Sequence, residues 1–242
     1  MDLPPLPVTE VLPELLARLN EAPNAVLIAP PGAGKTTLVP LALLDAGWRQ
    51  GRKIIMLEPR RLAARASATR MAQLLGETVG QRVGYRVRFD TKISKDTVIE
   101  VVTGGVFARM LRADPMLESV AAVLFDEFHE RSLDSDLAMA LCLDLQSGLR
   151  DELRLLAMSA TLDGAAVADL LKAPVVESQG RAFPVEISYR DGGPKDPLEV
   201  AVHAACRAEL ERGNGGDILV FLPGQREIER CHERLSGSLE GV

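Results

Sequence analysis

Residues 120–131 read Val-Ala-Ala-Val-Leu-Phe-Asp-Glu-Phe-His-Glu-Arg, and this stretch decides the fold class. Six residues without a polar side chain lead directly into two adjacent carboxylates, Asp126 and Glu127. A short, continuous apolar run is typical of a strand that is buried on both faces of a parallel sheet. Open α/β sheets bind their ligands at the carboxyl ends of such strands. By itself, the carboxylate pair fits either a site that holds a metal ion and a water molecule or a solvated strand end.

A glycine-rich stretch earlier in the chain favours the first interpretation. Residues 29–37 read Ala-Pro-Pro-Gly-Ala-Gly-Lys-Thr-Thr, between the apolar residues 25–28 and a helix-compatible stretch at 38–46. Strand, glycine-rich turn and helix form the context of a phosphate-binding P-loop. Gly32 and Gly34 let the backbone wrap a phosphate, and the N–H groups of a helix N-terminus attract its charge. A chance glycine-rich turn is the alternative, and it does not explain both flanks.

The P-loop pattern assigns the nucleotide contacts. Lys35 supplies a cation for the β- and γ-phosphates of ATP, while Thr36 and Asp126 are predicted ligands of Mg²⁺. The stretch departs from G-x-x-x-x-G-K-[ST] because Ala29 replaces the first glycine and the two following prolines donate no backbone hydrogen bond. The anion-binding N–H groups are therefore expected at residues 32–37. The predicted contacts of this loop are Pro31, Gly32, Ala33, Gly34, Lys35, Thr36 and Thr37.

The composition predicts a cytoplasmic protein without a membrane partner. Among 242 residues, 47% are hydrophobic and 4% aromatic, which indicates an aliphatic core in one large domain plus part of another. No stretch is long enough for a membrane span, and the first residues lack the pattern of a signal peptide. Cys142, Cys206 and Cys231 fit unpaired thiols in a reducing compartment.

The distribution of charge favours an anionic partner. The net charge of −6 argues at first against nucleic acid, but residues 49–95 hold twelve Lys or Arg residues and three acidic ones. Such asymmetry within one domain indicates a local binding surface for an anion. The alternative is that several of these arginines only solvate the faces of helices.

Apolar strands alternate with helical stretches along most of the chain. The predicted strands are 25–28, 54–57, 83–89, 98–102, 120–125 and 153–158. The predicted helices are 8–19, 38–46, 62–75, 106–112 and 137–146. This alternation predicts an α/β fold whose mostly parallel sheet carries helices on both faces.

A domain boundary is predicted near residues 180–184. Beyond it we predict a helix, a strand and a helix, at 198–212, 218–222 and 225–235. The sixty residues of this part are too few for a complete doubly wound sheet. We therefore divide the chain into a first domain, residues 1–182, and the truncated beginning of a second, residues 183–242.

The ordered motifs resemble those of superfamily 2 helicases of the DEAH-box class, most closely the bacterial HrpB type. The matching blocks are residues 29–37, 58–64 (Glu-Pro-Arg-Arg-Leu-Ala-Ala), 83–89, 103–104, 126–129 with Phe in place of Ala, 159–161 (Ser-Ala-Thr) and 221–225 (Phe-Leu-Pro-Gly-Gln). The resemblance implies a RecA-like P-loop domain, followed by the incomplete start of a second RecA-like domain, in the N-terminal part of an ATP-dependent helicase. It implies ATP and Mg²⁺ as cofactors and single-stranded nucleic acid as partner, with RNA favoured over DNA and other RNA-processing proteins as further partners.

The same resemblance assigns roles to individual residues. The catalytic set is Lys35, Asp126, Glu127 and His129, and the coupling set is Ser159, Ala160 and Thr161. The implied nucleic-acid contacts are Arg60, Arg61, Thr103, Gly104 and Gly224, and Arg70 would stack on adenine. Such contacts position a strand without reading its sequence. Two alternatives stay open: a neighbouring carbonyl satisfies His129, or one of the two adjacent arginines is structural.

Two other functions fit the same residues. The chain could be a module that binds nucleotide and RNA with little turnover, because the arginines that complete such sites in similar helicases lie in motifs beyond Val242. An arginine finger is worth roughly 10³–10⁵ in rate in related systems, so residues 1–242 alone are expected to be weakly active. The third reading is a P-loop ATPase that remodels proteins. No glutamine precedes Gln50, which argues against the DEAD-box branch.

Overall fold

The computed structural model describes residues 4–160, 164–179, 185–189, 197–213 and 215–237, and the chain divides into two compact units, 1–182 and 183–242. The strands of the first unit are β1 (Asn24–Ile28), β2 (Lys53–Leu57), β3 (Val83–Val87), β4 (Asp90–Lys92), β5 (Ile99–Val102), β6 (Val120–Phe125), β7 (Arg154–Ser159) and β8 (Val175–Glu177). Its helices are α1 (Leu12–Glu21), α2 (Lys35–Ala42), α3 (Arg61–Leu74), α4 (Gly104–Ala113), α5 (Leu133–Gly148) and α6 (Gly164–Leu171).

The eight strands form one sheet in the order β4-β3-β5-β2-β6-β7-β1-β8. Every neighbouring pair is parallel except β3 and β4, which are antiparallel. The predicted α/β fold with a mostly parallel sheet is therefore confirmed. Because parallel strands end at the same edge, the loops that follow β1, β2, β5, β6 and β7 all meet at one side of the unit.

Helices cover both faces of the sheet, as predicted. Alternate side chains of a strand point to opposite faces, so Ile54 and Met56 of β2 pack with α1, α2 and α3. Ile55 and Leu57 pack with α4, α5 and α6 on the other face. The two buried clusters are almost entirely aliphatic, which agrees with the low aromatic content.

The sequence missed β4, β8 and α6. The predicted strand at 83–89 ends at Val87, because Phe89 adopts a φ of 67° and the chain reverses into β4. Gly84 is required in this hairpin, since a Cβ there would lie 2.3 Å from the carbonyl oxygen of Lys92. Short edge strands of three residues carry little periodicity, so sequence patterns rarely reveal them.

The second unit contains two described helices, α7 (Leu198–Arg212) and α8 (Gln225–Ser236), which pack against each other. The predicted strand at 218–222 is wrong: these residues have no regular structure, and most of their side chains are exposed. A strand needs hydrogen-bonding neighbours, and the described part of this unit holds no other strand. Among all described residues, no helix is long and apolar enough to cross a membrane.

Candidate active site

The predicted P-loop connects β1 to α2 at the carboxyl edge of the sheet. Gly32 and Gly34 have φ values of 78° and 92°, in the left-handed region that favours glycine. The N–H of Ala29 donates to the Ser159 carbonyl at 2.9 Å, which fastens the start of the loop to the end of β7. Lys35 is the first residue of α2 and is only 3% exposed. The loop therefore presents a helix N-terminus and a buried ammonium group at one place.

Lys35 meets the two carboxylates that follow β6. Its Nζ lies 2.8 Å from Oε1 of Glu127. Asp126 is buried, and its Oδ1 accepts a hydrogen bond of 2.9 Å from the backbone N–H of Glu127. Its Oδ2 is buried without a hydrogen-bond partner. The structure thus brings together three residues of the predicted catalytic set, Lys35, Asp126 and Glu127.

A third carboxylate, Glu58, lies beside them and was missed as a site residue by the sequence reasoning. It follows β2 as Asp126 follows β6, and these strands pair in register at Leu57 and Phe125. Burial, followed by the charge of Asp126, raises the pKa of Glu58 to about 8. The sequence did carry a signal for Glu58. β2 and β6 are both apolar strands followed directly by a carboxylate, and the carboxyl ends of parallel strands lie at the same edge of a sheet.

The donors at this edge fit a magnesium ion. Burial raises the pKa of Asp126, while the Thr36 hydroxyl and the Lys35 ammonium oppose that rise. Mg²⁺ binds oxygen ligands and usually takes only one or two carboxylates, together with phosphate oxygens and water. Accordingly, the described residues hold no group of three or more His, Cys, Asp or Glu side chains arranged as a metal cage. The unpartnered Oδ2 of Asp126 and the nearby Thr36 hydroxyl are suitable ligands.

A cleft of roughly 480 Å³ opens between the P-loop and α3. It is lined by Thr36 and Thr37 on one side and by Arg70 on the other, with Glu58 and Glu127 at its base. Arg70 is exposed on α3. Arg70 therefore faces the same space as the P-loop, which is where the predicted adenine contact would require it.

His129 connects the ATP side of this edge to the segment after β7. The backbone N–H of Ala160 donates to Nδ1 of His129 at 3.3 Å. The same nitrogen lies 3.4 Å from Oε2 of Glu127. Nδ1 therefore accepts a hydrogen bond from a backbone amide. This favours the linking role of His129 over the alternative in which Nδ1 donates a hydrogen bond to a neighbouring carbonyl. Ser159 is buried at the end of β7, and Thr161 lies outside the described residues.

Four of the five candidate nucleic-acid contacts lie at this same edge. Arg60 and Arg61, both exposed, are the residue before α3 and its first residue. Thr103 and Gly104 hold the same two positions at α4, after the neighbouring strand β5. The fifth, Gly224, precedes α8 in the second unit. Their contacts with nucleic acid stay predictions.

A P-loop after β1, two carboxylates after β6 and a mostly parallel sheet define a P-loop nucleotide-binding domain. Residues 9–170, more than half of the chain, match the family model of the DEAD/DEAH box helicase. The chain therefore belongs to the DEAD/DEAH box helicase family.

Individual relatives agree with this assignment. The ATP-dependent RNA helicase HrpB of Escherichia coli is 52% identical over 97% of this chain and 29% of its own length. The probable ATP-dependent RNA helicase DHX35 homolog of Caenorhabditis elegans is 34% identical over 95% of this chain and 33% of its own length. The crystal structure of the E. coli DEAH/RHA helicase HrpB matches with a TM-score of 0.88, over 96% of this chain and 30% of that one. The predicted resemblance to the HrpB type is confirmed, and the chain spans about a third of the length of these relatives.

Proposed function

We propose that this chain supplies the ATP-binding part of an ATP-dependent helicase that acts on RNA. The family assignment supports ATP-dependent action, and the names of the two relatives favour RNA over DNA. In this proposal residues 1–182 are the ATP-binding RecA-like domain, and residues 183–242 begin the second RecA-like domain. The protein works in the cytoplasm, with other RNA-processing proteins as further partners.

The observation that carries the proposal is the meeting of Lys35, Asp126 and Glu127 at one edge of the sheet. Lys35 is held by Glu127 and is free to exchange this carboxylate for the β- and γ-phosphates of ATP. Glu127 would then be free to orient the attacking water, and Asp126 and Thr36 would hold the metal. A bound Mg²⁺ would neutralise charge that develops on the phosphates.

Coupling to the strand would run through His129. Its contact with Ala160 joins the segment that carries Glu127 to the segment that contains the predicted coupling residues. Arg60, Thr103 and their neighbours would grip phosphates and sugars at the same edge, which positions a strand without reading its sequence. A movement of Glu127 during hydrolysis would thus be transmitted through His129 to the segment at the end of β7.

Replacing Glu127 with Gln tests the catalytic assignment. We expect single-turnover hydrolysis of ATP by this chain, with single-stranded RNA present, to fall by about 10²–10⁴, because a positioned acid–base group contributes that much. ATP binding should persist, since the phosphate contacts of the P-loop remain. A matched control is Glu118→Gln, which removes the same charge from an exposed residue before β6. Undiminished hydrolysis in Glu127→Gln would refute the assignment.

A further inference from the structure

Two carboxylates to which the proposed ATP chemistry gives no role lie beside the candidate nucleic-acid contacts, and they line a cavity next to Asp126 and Glu127. Glu130 lies three residues after Glu127, and Asp134 lies in the first turn of α5. Glu130 contacts Arg60, and Asp134 contacts Gly104. Each acidic side chain therefore lies beside a residue that the proposed function assigns to the backbone of the strand.

Asp134 covers the first turn of α4. A Cβ placed on Gly104 would lie 2.6 Å from Cβ and 3.4 Å from Oδ2 of Asp134, and one on Gly105 would lie 3.9 Å from that Oδ2. The N-terminus of a helix attracts anions because its first N–H groups lack partners within the helix. The side chain of Thr103, the residue before α4, does not cap these groups. The Asp134 carboxylate thus lies close to the first turn of α4, the end of the helix that attracts a phosphate.

Glu130 holds one of the candidate arginines in an exposed ion pair. Oε1 of Glu130 lies 2.9 Å from Nη2 of Arg60, and the Arg60 side chain is 72% exposed. Ion pairs this exposed contribute little to stability because water solvates both partners. A phosphate can therefore replace Glu130 on Arg60 without disturbing the fold.

We propose that Glu130 and Asp134 form an acidic guard that competes with phosphates of the strand for Arg60 and for the N-terminus of α4. The inference rests on the proposed RNA-binding function. The carboxylates of the guard repel the phosphates of the strand. This repulsion lowers the affinity for the strand and speeds its dissociation. Because exposed charges act on each other through water, the effect is strongest at low salt.

The substitution Asp134→Asn tests the guard, because asparagine keeps the shape that packs against Gly104 and removes only the charge. The control is Asp144→Asn, which makes the same change of net charge at an exposed position of α5, about 15 Å further along the helix axis. The measurement is the fluorescence anisotropy of a labelled oligouridine strand, titrated with the 242-residue chain over a series of salt concentrations.

We expect Asp134→Asn to tighten binding by about two- to fivefold at low salt, since one exposed charge contact is worth that much, and the gain should vanish at high salt. Glu130→Gln should act in the same direction, and Asp144→Asn should not. Unchanged or weaker binding in Asp134→Asn, or an equal gain in Asp144→Asn, would overturn the guard. Failure of the unaltered chain to bind the strand at any salt concentration would instead overturn the proposed RNA-binding function on which the guard depends.

Discussion

Two groups of buried charge lie in the first unit, and their charge balances are opposite. In β5, Glu100 is fully buried and forms ion pairs with Lys53 of β2 and Arg86 of β3. At the candidate active site, three carboxylates surround the single cation Lys35. In the first group two cations surround one carboxylate, whereas the second holds three carboxyl groups and one cation and can therefore accept a cation from outside.

The positions of the two groups explain this difference. Glu100, Lys53 and Arg86 project from three adjacent strands, so regular strand pairing holds them together. Glu58 and Asp126 lie just past strand ends, where the chain turns and the neighbouring loops leave a cleft. Charge within the strands therefore supports the sheet, whereas charge beyond the strand ends is available to a ligand.

Replacement of Lys35 with Met should have the largest effect. It removes the cation that pairs with Glu127, and truncation of one partner in a buried charge pair costs roughly 2–5 kcal/mol. We expect the Kd for ATP with Mg²⁺, measured by isothermal titration calorimetry, to rise by about 100-fold or more.

The matched control for this change is Lys53→Met in the other group. It also removes a lysine that pairs with a buried carboxylate, but it lies outside the cleft. ATP affinity should stay unchanged there. An equal loss of affinity in both variants would show that the two groups do not differ in function.

The second prediction concerns the pH dependence of stability. The pKa of Glu58 is raised to about 8 in the folded chain, so between its ordinary value and that pH the folded state holds a proton that the unfolded state has lost. The free energy of unfolding of the nucleotide-free chain should therefore fall as pH rises from about 5 to about 8, by roughly 3–4 kcal/mol. Urea denaturation at several pH values measures it.

The variant Glu58→Gln isolates this contribution, because glutamine does not titrate. The decline with pH should become shallower in the variant. Identical pH profiles in the two proteins would mean that Glu58 ionises with its ordinary pKa, so that burial beside Asp126 does not hold a proton on this carboxyl group.

The smallest effect is expected for the stability of Lys53→Met. Arg86 still neutralises Glu100 in this variant, and the Lys53 side chain is 30% exposed. We expect the free energy of unfolding to fall by about 1 kcal/mol, measured by urea denaturation at neutral pH. A loss of several kcal/mol would show that Arg86 alone does not neutralise Glu100 and that both cations are needed for stability.

Sequence patterns predicted most of the first unit because most residues of its central strands are apolar and its helices lie between them. The P-loop and the Asp126–Glu127 pair were recognisable because each is a contiguous motif beside a strand. The predicted strand at 218–222 failed because an apolar run forms a strand only where a neighbour completes its hydrogen bonds. Short edge strands such as β8 escaped because three residues show no period.

By itself, the sequence determined the α/β class, the P-loop and the family, since all three depend on short stretches of residues and on the order of those stretches along the chain. Only the tertiary structure decided that Glu58 lies beside Asp126, that His129 reaches Ala160, and that Asp134 covers Gly104. These contacts depend on which parallel strands become neighbours and on how the loops turn at their ends. That choice arises from packing over the whole sheet, and no local pattern of residues encodes it.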